Sequence, residues 1–349
     1  EDLPQRQLTI GLEDTHNFKV TMPQPGVIDR LDLFECPRRP LKADEVRIKV
    51  RAVGLNFRDI MAVTALLPED AEAEPAWQNL GLEFSGDIVE VGDKVTDFAL
   101  GDRVMGMGRN CLQRFLAISV EGLIPMHDAL GYDAAVTIPS AFATAHYALK
   151  EIGRLSEGDK VLIHVATGGV GLAALQIAQA AGAEVFATAG SDAKRALLRD
   201  RGVAHVMNSR SLDYADEIMA LTQGKGVDLI LNSLPGSNID KGLDILAPYG
   251  RFLEIGKRDV YADHAVGMKA MRRNQSFNII DLAAMGAERP ELLAGQMHAV
   301  MSDIREGRLA PLPTTNFPLS KVRAAFRYMS QAQHVGKVVV TFDEETFVV

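Results

Sequence analysis

Hydrophobic and polar positions follow two different rhythms along this chain. Residues 44–53, DEVRIKVRAV, alternate apolar and charged with a period of two, which predicts a strand covered on one face and wet on the other. From Gly81 the segments GLEFSGDIVEVG, DFALGDRVMGMG and RFLAISVEGLIPM are punctuated by Gly86, Gly92, Gly101 and Gly106, the spacing of a small, tightly curled antiparallel barrel. Residues 1–20 and 31–35 supply two further candidate strands. After Pro125 the chain turns helical, through 141–150.

The second rhythm begins at 160–165, KVLIHV, which is apolar on both faces, as a parallel strand covered by helices must be. Candidate strands follow at 184–189, 205–209, 227–233, 250–256 and 276–282, each separated by a helical segment, so six strands form one doubly wound sheet. A helix at 290–308, an extended PLPTTNFPLS, a helix at 321–333 and the strand KVVVTF then return the chain to the front strands. The expected fold is therefore α/β, a doubly wound six-stranded parallel sheet plus a discontinuous, mostly antiparallel β-barrel-like domain. The first would occupy residues 128–309, the second 1–127 and 310–349.

The turn after the 160–165 strand, Ala166, Thr167, Gly168, Gly169, Val170, Gly171, fits the pattern AxGxxG. This is the dinucleotide fingerprint with its first glycine replaced by alanine. Gly168 lets backbone approach a pyrophosphate, Gly171 lets a helix pack close on the sheet, and the helix expected at 172–181 aims its positive end at the phosphates. At the end of the next strand, where a carboxylate commonly reads the ribose, stands Ser191. Lys194, Arg195 and Arg210 could surround a 2′-phosphate, which points to NADP, whereas Asp192 is the one residue favouring NAD. Ligands of open α/β sheets bind outside the carboxyl ends of the strands, which ranks Thr167, Ser191, Asn232, Lys257 and Asp281 above other polar residues.

Composition narrows the function classes. A length of 349 residues favours two domains, and 47% hydrophobic with 24% charged residues is the balance of a globular protein. A net charge of −9 with no basic stripe argues against nucleic acid. No apolar run reaches the ~20 residues of a membrane span, and no signal peptide is evident; with only two cysteines, a reducing, cytoplasmic setting is expected. Cys36 and Cys111 are too few for a disulfide framework. The eight histidines are scattered singly, which fits packing or surface roles better than metal ligation. The first residue is Glu, which suggests a segment cut from a longer polypeptide, or a processed one. Residues 68–79 read as an acidic, proline-punctuated surface loop, with Trp77 as a packing residue. Asn56, Arg58 and Asp59 cluster at a helix start, where Asn56 reads equally as a cap and Asp59 as a partner of Arg58.

GLNFRD, GLEFSGDIVEVG, GDRVMG, TAHYAL, VATGGVG, LILNSL, GRFLEIGKRD and HVGKVVV, in this order, resemble the enoyl reductase domain of a type I polyketide synthase. The wider class is the zinc-independent branch of the medium-chain dehydrogenase/reductase superfamily, with its Rossmann cofactor domain. The likeness covers nearly the whole chain. It implies NADPH-dependent reduction of an α,β-unsaturated acyl thioester carried on an acyl carrier protein, by a domain set among the other domains of a synthase. It offers Lys257 as proton donor and Asp281 as the carboxylate that orients it. Asn56, Thr144, Asn232, Gly256 and Lys337 join the cofactor set with Thr167, Gly168, Gly169, Val170, Gly171, Ser191, Lys194 and Arg210. Metal-dependent relatives use a cysteine early in the barrel and a histidine near Leu82, neither present here. Where some members carry a tyrosine after NFRD, this chain has Leu66 and Leu67, leaving the lysine side or water as the source of the α-proton. The apolar sixth strand, SFNIIDL, is an expected edge and a place for a homodimer to form. A free-standing NADPH quinone reductase and a non-enzymatic binding protein of the same fold stay open as other readings.

Overall fold

The computed structural model describes residues 9–11, 17–67, 75–342 and 346–348; residues 68–74 of the expected acidic loop lie outside them. The chain divides into two units, Glu1–Ser140 with Pro313–Val349, and Ala141–Leu312.

In the first unit the strands are β1 (Thr9–Gly11), β2 (Phe18–Thr21), β3 (Asp32–Glu35), β4 (Glu45–Gly54), β5 (Glu83–Val91), β6 (Arg103–Met107), β7 (Phe115–Ser119) and β8 (Ile124–Pro125). Helix α1 (Phe57–Val63) follows β4, and α2 (Tyr132–Ala135) follows β8. The return segment adds β15 (Thr314–Pro318), α11 (Val322–Ser330), β16 (Lys337–Thr341) and β17 (Thr346–Val348). The main sheet runs β15-β16-β4-β5-β6-β8 and is antiparallel except where β15 lies parallel to β16. The final strand does return to the front strands, since Val339, Val340 and Thr341 pair with Gly54, Val53 and Ala52.

Strand β4 is the centre of this sheet. One edge lies along β5 for most of its length; the other is shared by β7, over Glu45–Lys49, and β16, over Ala52–Gly54. The charged face is covered over its first half and only half-buried over the second, at Lys49 and Arg51. Glu45 and Arg47 are each only 5% exposed. Arg39 bonds Glu45 at 2.6 Å and Arg47 bonds Glu90 at 2.6 Å, so each covered charge has a counter-ion. Trp77 packs against the apolar core of this unit, as expected.

In the second unit α3 (Pro139–His146), which begins at the end of the first, leads through a π-helical turn (Tyr147–Ile152) to the parallel sheet. Its elements are β9 (Lys160–Ile163), α4 (Gly169–Ala180), β10 (Glu184–Ala189), α5 (Asp192–Asp200), β11 (His205–Asn208), α6 (Tyr214–Leu221) and β12 (Val227–Asn232). Then come α7 (Ser237–Asp244), β13 (Leu246–Glu254), α8 (Arg258–Tyr261), β14 (Ser276–Ile279), α9 (Leu282–Glu288) and α10 (Pro290–Arg305). All six strands are parallel, in the order β11-β10-β9-β12-β13-β14. Val161, Leu162, Ile163, Leu229, Ile230 and Leu231 at the sheet centre are all 2% exposed or less, as burial on both faces requires. The winding reverses between β9 and β12, the position at which open α/β sheets generally bind their ligands. Strand β14 is an edge, as its sequence suggested.

Candidate functional site

The glycine turn is built on strain and close approach. Val165, a β-branched residue, is held at φ +51°, and its carbonyl accepts a hydrogen bond from Gly168 N at 2.9 Å. A Cβ on Gly171 would stand 2.5 Å from that same oxygen and 2.7 Å from Ala166 Cα. Glycine at 171 is therefore a packing necessity, which lets α4 sit against the end of β9. Gly168 differs. With φ −76° its backbone suits any residue, and a Cβ there would find Val165 O at 3.4 Å as its nearest neighbour. The space beside Gly168 belongs to no part of this unit's packing and suits a pyrophosphate. Helix α4 begins at Gly169, three residues before the expected 172, because Leu172 N already bonds Gly168 O at 2.9 Å. The amides of Gly169, Val170 and Gly171 precede that first bond, so they are the orphan donors of a helix N-terminus. Thr167, 1% exposed, is buried beneath the turn. Below it His164, 3% exposed, bonds Thr188 Oγ1 at 3.0 Å, and burial pushes it down to about 3, so it is a neutral packing residue.

At the exit of β10, Ser191 caps α5 and accepts from Lys194 N at 3.3 Å. Burial, and then the neighbouring Arg210 charge, lower the Lys194 pKa. Asp192, the residue that argued for NAD, is tied to Arg195 in an ion pair.

Three further strand exits meet beyond β12, β13 and β14. Lys257 Nζ lies 2.7 Å from Asp281 Oδ2 and donates to Ile280 O at 3.2 Å. Asp281 also caps α9, accepting from Ala284 N at 3.0 Å. Burial alone would raise this carboxyl; the Lys257 hydrogen bond, with the Ala284 and Ala283 amides, outweighs it and holds the pKa below the usual range. Asp259, two residues after Lys257, accepts from Gly236 N at 3.2 Å.

Asn232 is wholly buried. Its amide donates to Leu234 O at 2.8 Å and Glu254 Oε2 at 2.5 Å, while its oxygen accepts from Leu234 N at 3.1 Å. Both amide hydrogens are thus occupied within the chain.

In the first unit Asn56 is occupied in the same way. Its Nδ2 donates to Glu83 Oε1 at 2.9 Å and Gly54 O at 3.2 Å; its Oδ1 accepts from Lys337 Nζ at 2.9 Å and Ser140 Oγ at 3.2 Å. Lys337 forms a buried ion pair with Glu83 at 2.5 Å, and Ser140 N donates to Glu83 at 2.9 Å. Asn56 is also the N-cap of α1, and Asp59, with no exposure, accepts from Asn56 N at 2.8 Å and Gly81 N at 2.9 Å. Burial raises the Asp59 pKa. Asp59 is thus bonded to main-chain amides rather than serving chiefly as a partner of Arg58. Thr144 is half-buried on α3.

Sequence reasoning missed Glu83 and Glu254, the acids that organise these two networks. A signal was present in each case, a lone carboxylate inside an apolar strand segment, LEF and FLEI. Among the described residues no group of three or more His, Cys, Asp or Glu could hold a metal ion, and no helix is long and apolar enough to cross a membrane.

Two family models match the chain, the alcohol dehydrogenase GroES-like domain over residues 42–145 and the zinc-binding dehydrogenase over residues 169–292. One phenolphthiocerol/phthiocerol polyketide synthase of Mycobacterium tuberculosis is 40% identical over 93% of this chain, which spans only 15% of that protein. The relatives of this kind are large multidomain synthases. The solved CurK enoyl reductase is 39% identical with a TM-score of 0.86, covering 93% of this chain and 99% of that one. Escherichia coli quinone oxidoreductase, solved with NADPH, shares the fold at 22% identity, with a TM-score of 0.81 over 93% of this chain and 99% of that one. With the glycine turn suited to a nicotinamide dinucleotide, the chain belongs to the enoyl reductases of polyketide synthases, oxidoreductases of the medium-chain dehydrogenase/reductase superfamily.

Proposed function

We propose that the chain reduces the double bond of an α,β-unsaturated acyl thioester, carried on the phosphopantetheine arm of an acyl carrier protein, with NADPH as reductant. The observation that carries the proposal is the Lys257–Asp281 pair at 2.7 Å, at the carboxyl end of the parallel sheet. NADPH, when bound, supplies a hydride to the β-carbon. The α-carbon must then gain a proton, and the two together convert one C=C bond to C–C. Lys257 is assigned as the donor of that proton. Asp281, its carboxyl held below the usual range chiefly by the Lys257 hydrogen bond, keeps the lysine side chain aimed.

The remaining residues bind and orient. The amides of Gly169, Val170 and Gly171 take the pyrophosphate beside Gly168. Ser191, Lys194 and Arg210 take the 2′-phosphate, which makes the cofactor NADP rather than NAD. Asn232 and Thr167 are assigned to shaping the turns that face the cofactor, since one is internally bonded and the other buried. Gly256 is assigned to the backbone beside Lys257, where its amide is held by Glu254. Thr144 is assigned to the cofactor by resemblance. Asn56 and Lys337 act through the Glu83 network that fixes the start of α1. Oxidation of NADPH by a simple enoyl pantetheine thioester tests the reading; oxidation only when a quinone is supplied would end it.

A further inference from the structure

Glu254 ends β13, is 2% exposed, and among the described residues is the only buried carboxylate of the second unit. Removing a carboxylate from water is costly, so such a group calls for an explanation beyond filling a strand. Its two oxygens point to two different strand exits. Oε2 accepts from Asn232 Nδ2 at 2.5 Å, at the end of β12; Oε1 accepts from Gly256 N at 2.5 Å, one residue before Lys257. A Cβ on Gly256 would stand 2.6 Å from Oε1, so glycine there lets the carboxylate reach the amide.

The same two exits are joined again farther out. Gly236 N, after β12, donates to Asp259, after β13. Lys257 thus lies between two tethered neighbours, Gly256 and Asp259. The third exit is bound to the same residue, because Ile280 N donates to Glu254 O at 2.8 Å and Ile280 O accepts from Lys257 Nζ. The side chain therefore fixes the backbone that carries the lysine against the exit of β12, while the main-chain carbonyl of the same residue ties it to the exit of β14.

We propose that Glu254 is a positioning residue for the reduction, holding the backbone before Lys257 in register with the exit of β12 through its paired acceptors on Asn232 and Gly256. The inference rests on Lys257 being the proton donor. Glutamine cannot replace the carboxylate, since it offers one acceptor and sets an NH2 against the other donor. Aspartate keeps both acceptors on a shorter arm.

The test is a double-mutant cycle of Glu254→Gln and Lys257→Ala, with kcat, KM for NADPH, melting temperature and NADPH fluorescence titration measured for each variant. Glu254→Gln is expected to lower kcat about 10-fold with NADPH affinity within about 3-fold, and to cost less than about 2-fold once Lys257 is already alanine, because residues acting through one group are not additive. Glu254→Asp is expected to recover part of the loss, and it takes the place of Glu254→Gln in the cycle if the latter fails to fold. An equal loss in both backgrounds, a loss confined to KM for NADPH, or no loss would overturn the proposal. Wild-type turnover in Lys257→Ala would instead overturn the lysine reading itself.

Discussion

Lys257 and Asp281 share one carboxylate with a helix, since Asp281 Oδ2 meets the ammonium at 2.7 Å while Oδ1 caps α9 through Ala284 N. Asparagine caps helices as well as aspartate does, so Asp281→Asn removes the charge while keeping the cap. We expect a folded protein with turnover lowered roughly 10-fold, less than for loss of the lysine. The folded-state pKa of Asp281 is depressed, so its contribution to stability is present above the unfolded value of about 4 and is lost as pH falls below it. Urea midpoints of wild type and Asp281→Asn should therefore converge in acid; a gap unchanged down to about pH 3 would show that the pair contributes nothing through charge.

Gly168 and Gly171 should fail in different ways. Gly171→Ala forces a methyl to 2.5 Å from Val165 O, against backbone that cannot rotate away, and overpacking of this kind costs about 1–3 kcal/mol. Gly168→Ala meets only two ordinary contacts, both with Val165, and should fold, while NADPH affinity is expected to fall about 10-fold or more because the methyl would enter the space proposed for the pyrophosphate. Thermal melting set beside fluorescence titration separates the two; a stable Gly171→Ala, or a Gly168→Ala that binds NADPH normally, would contradict the assignment.

How much of this was legible in the sequence depends on the reach of each interaction. The parallel strands were visible because burial on both faces leaves unbroken apolar runs, and the glycine turn because its spacing is local. Lys257 and Asp281 could be placed at strand exits from the βαβ rhythm alone. The networks around them could not. Asn56 meets Lys337 across 281 residues and Asn232 meets Glu254 across 22, and no periodicity pairs such positions. Alternation in β4 suggested a wet face because charges mark solvent on average; Arg39 and Glu90, which neutralise Glu45 and Arg47, are not visible as partners in that pattern.

Lys194 and Arg210 should decide between the two nicotinamide cofactors. Hydrogen bonds to a charged group contribute about 1.5–3 kcal/mol each, so Lys194→Ala and Arg210→Ala are each expected to raise KM for NADPH about 10-fold or more and to leave KM for NADH within about 2-fold. Parallel kinetics with the two cofactors check this. Equal losses with both would mean that the cluster does not read the 2′-phosphate.

Glu254 has the opposite linkage to Asp281. Burial, outweighing the Asn232 and Gly256 hydrogen bonds, pushes its carboxyl up to about 7. An unfolded glutamate releases its proton near about 4.3, so between these values the folded state holds a proton that the unfolded state has lost. Its contribution to stability is full below about 4.3 and is lost as pH rises towards about 7. Compared with Glu254→Gln, the wild type should lose relative stability across that window, read from urea midpoints at matched pH. A difference independent of pH would mean that the carboxyl titrates in its ordinary range.

The most direct measurement is nicotinamide absorbance during mixing of the protein with a crotonyl or 2-methylcrotonyl pantetheine thioester, with NADPH and NADH in parallel and Lys257→Ala as the comparison. The account predicts oxidation that prefers NADPH and falls about 10²-fold or more without the lysine, in the range of general acid catalysis. Oxidation unaffected by Lys257→Ala would remove the lysine from the chemistry, and no oxidation until a quinone is added would contradict the proposed reaction.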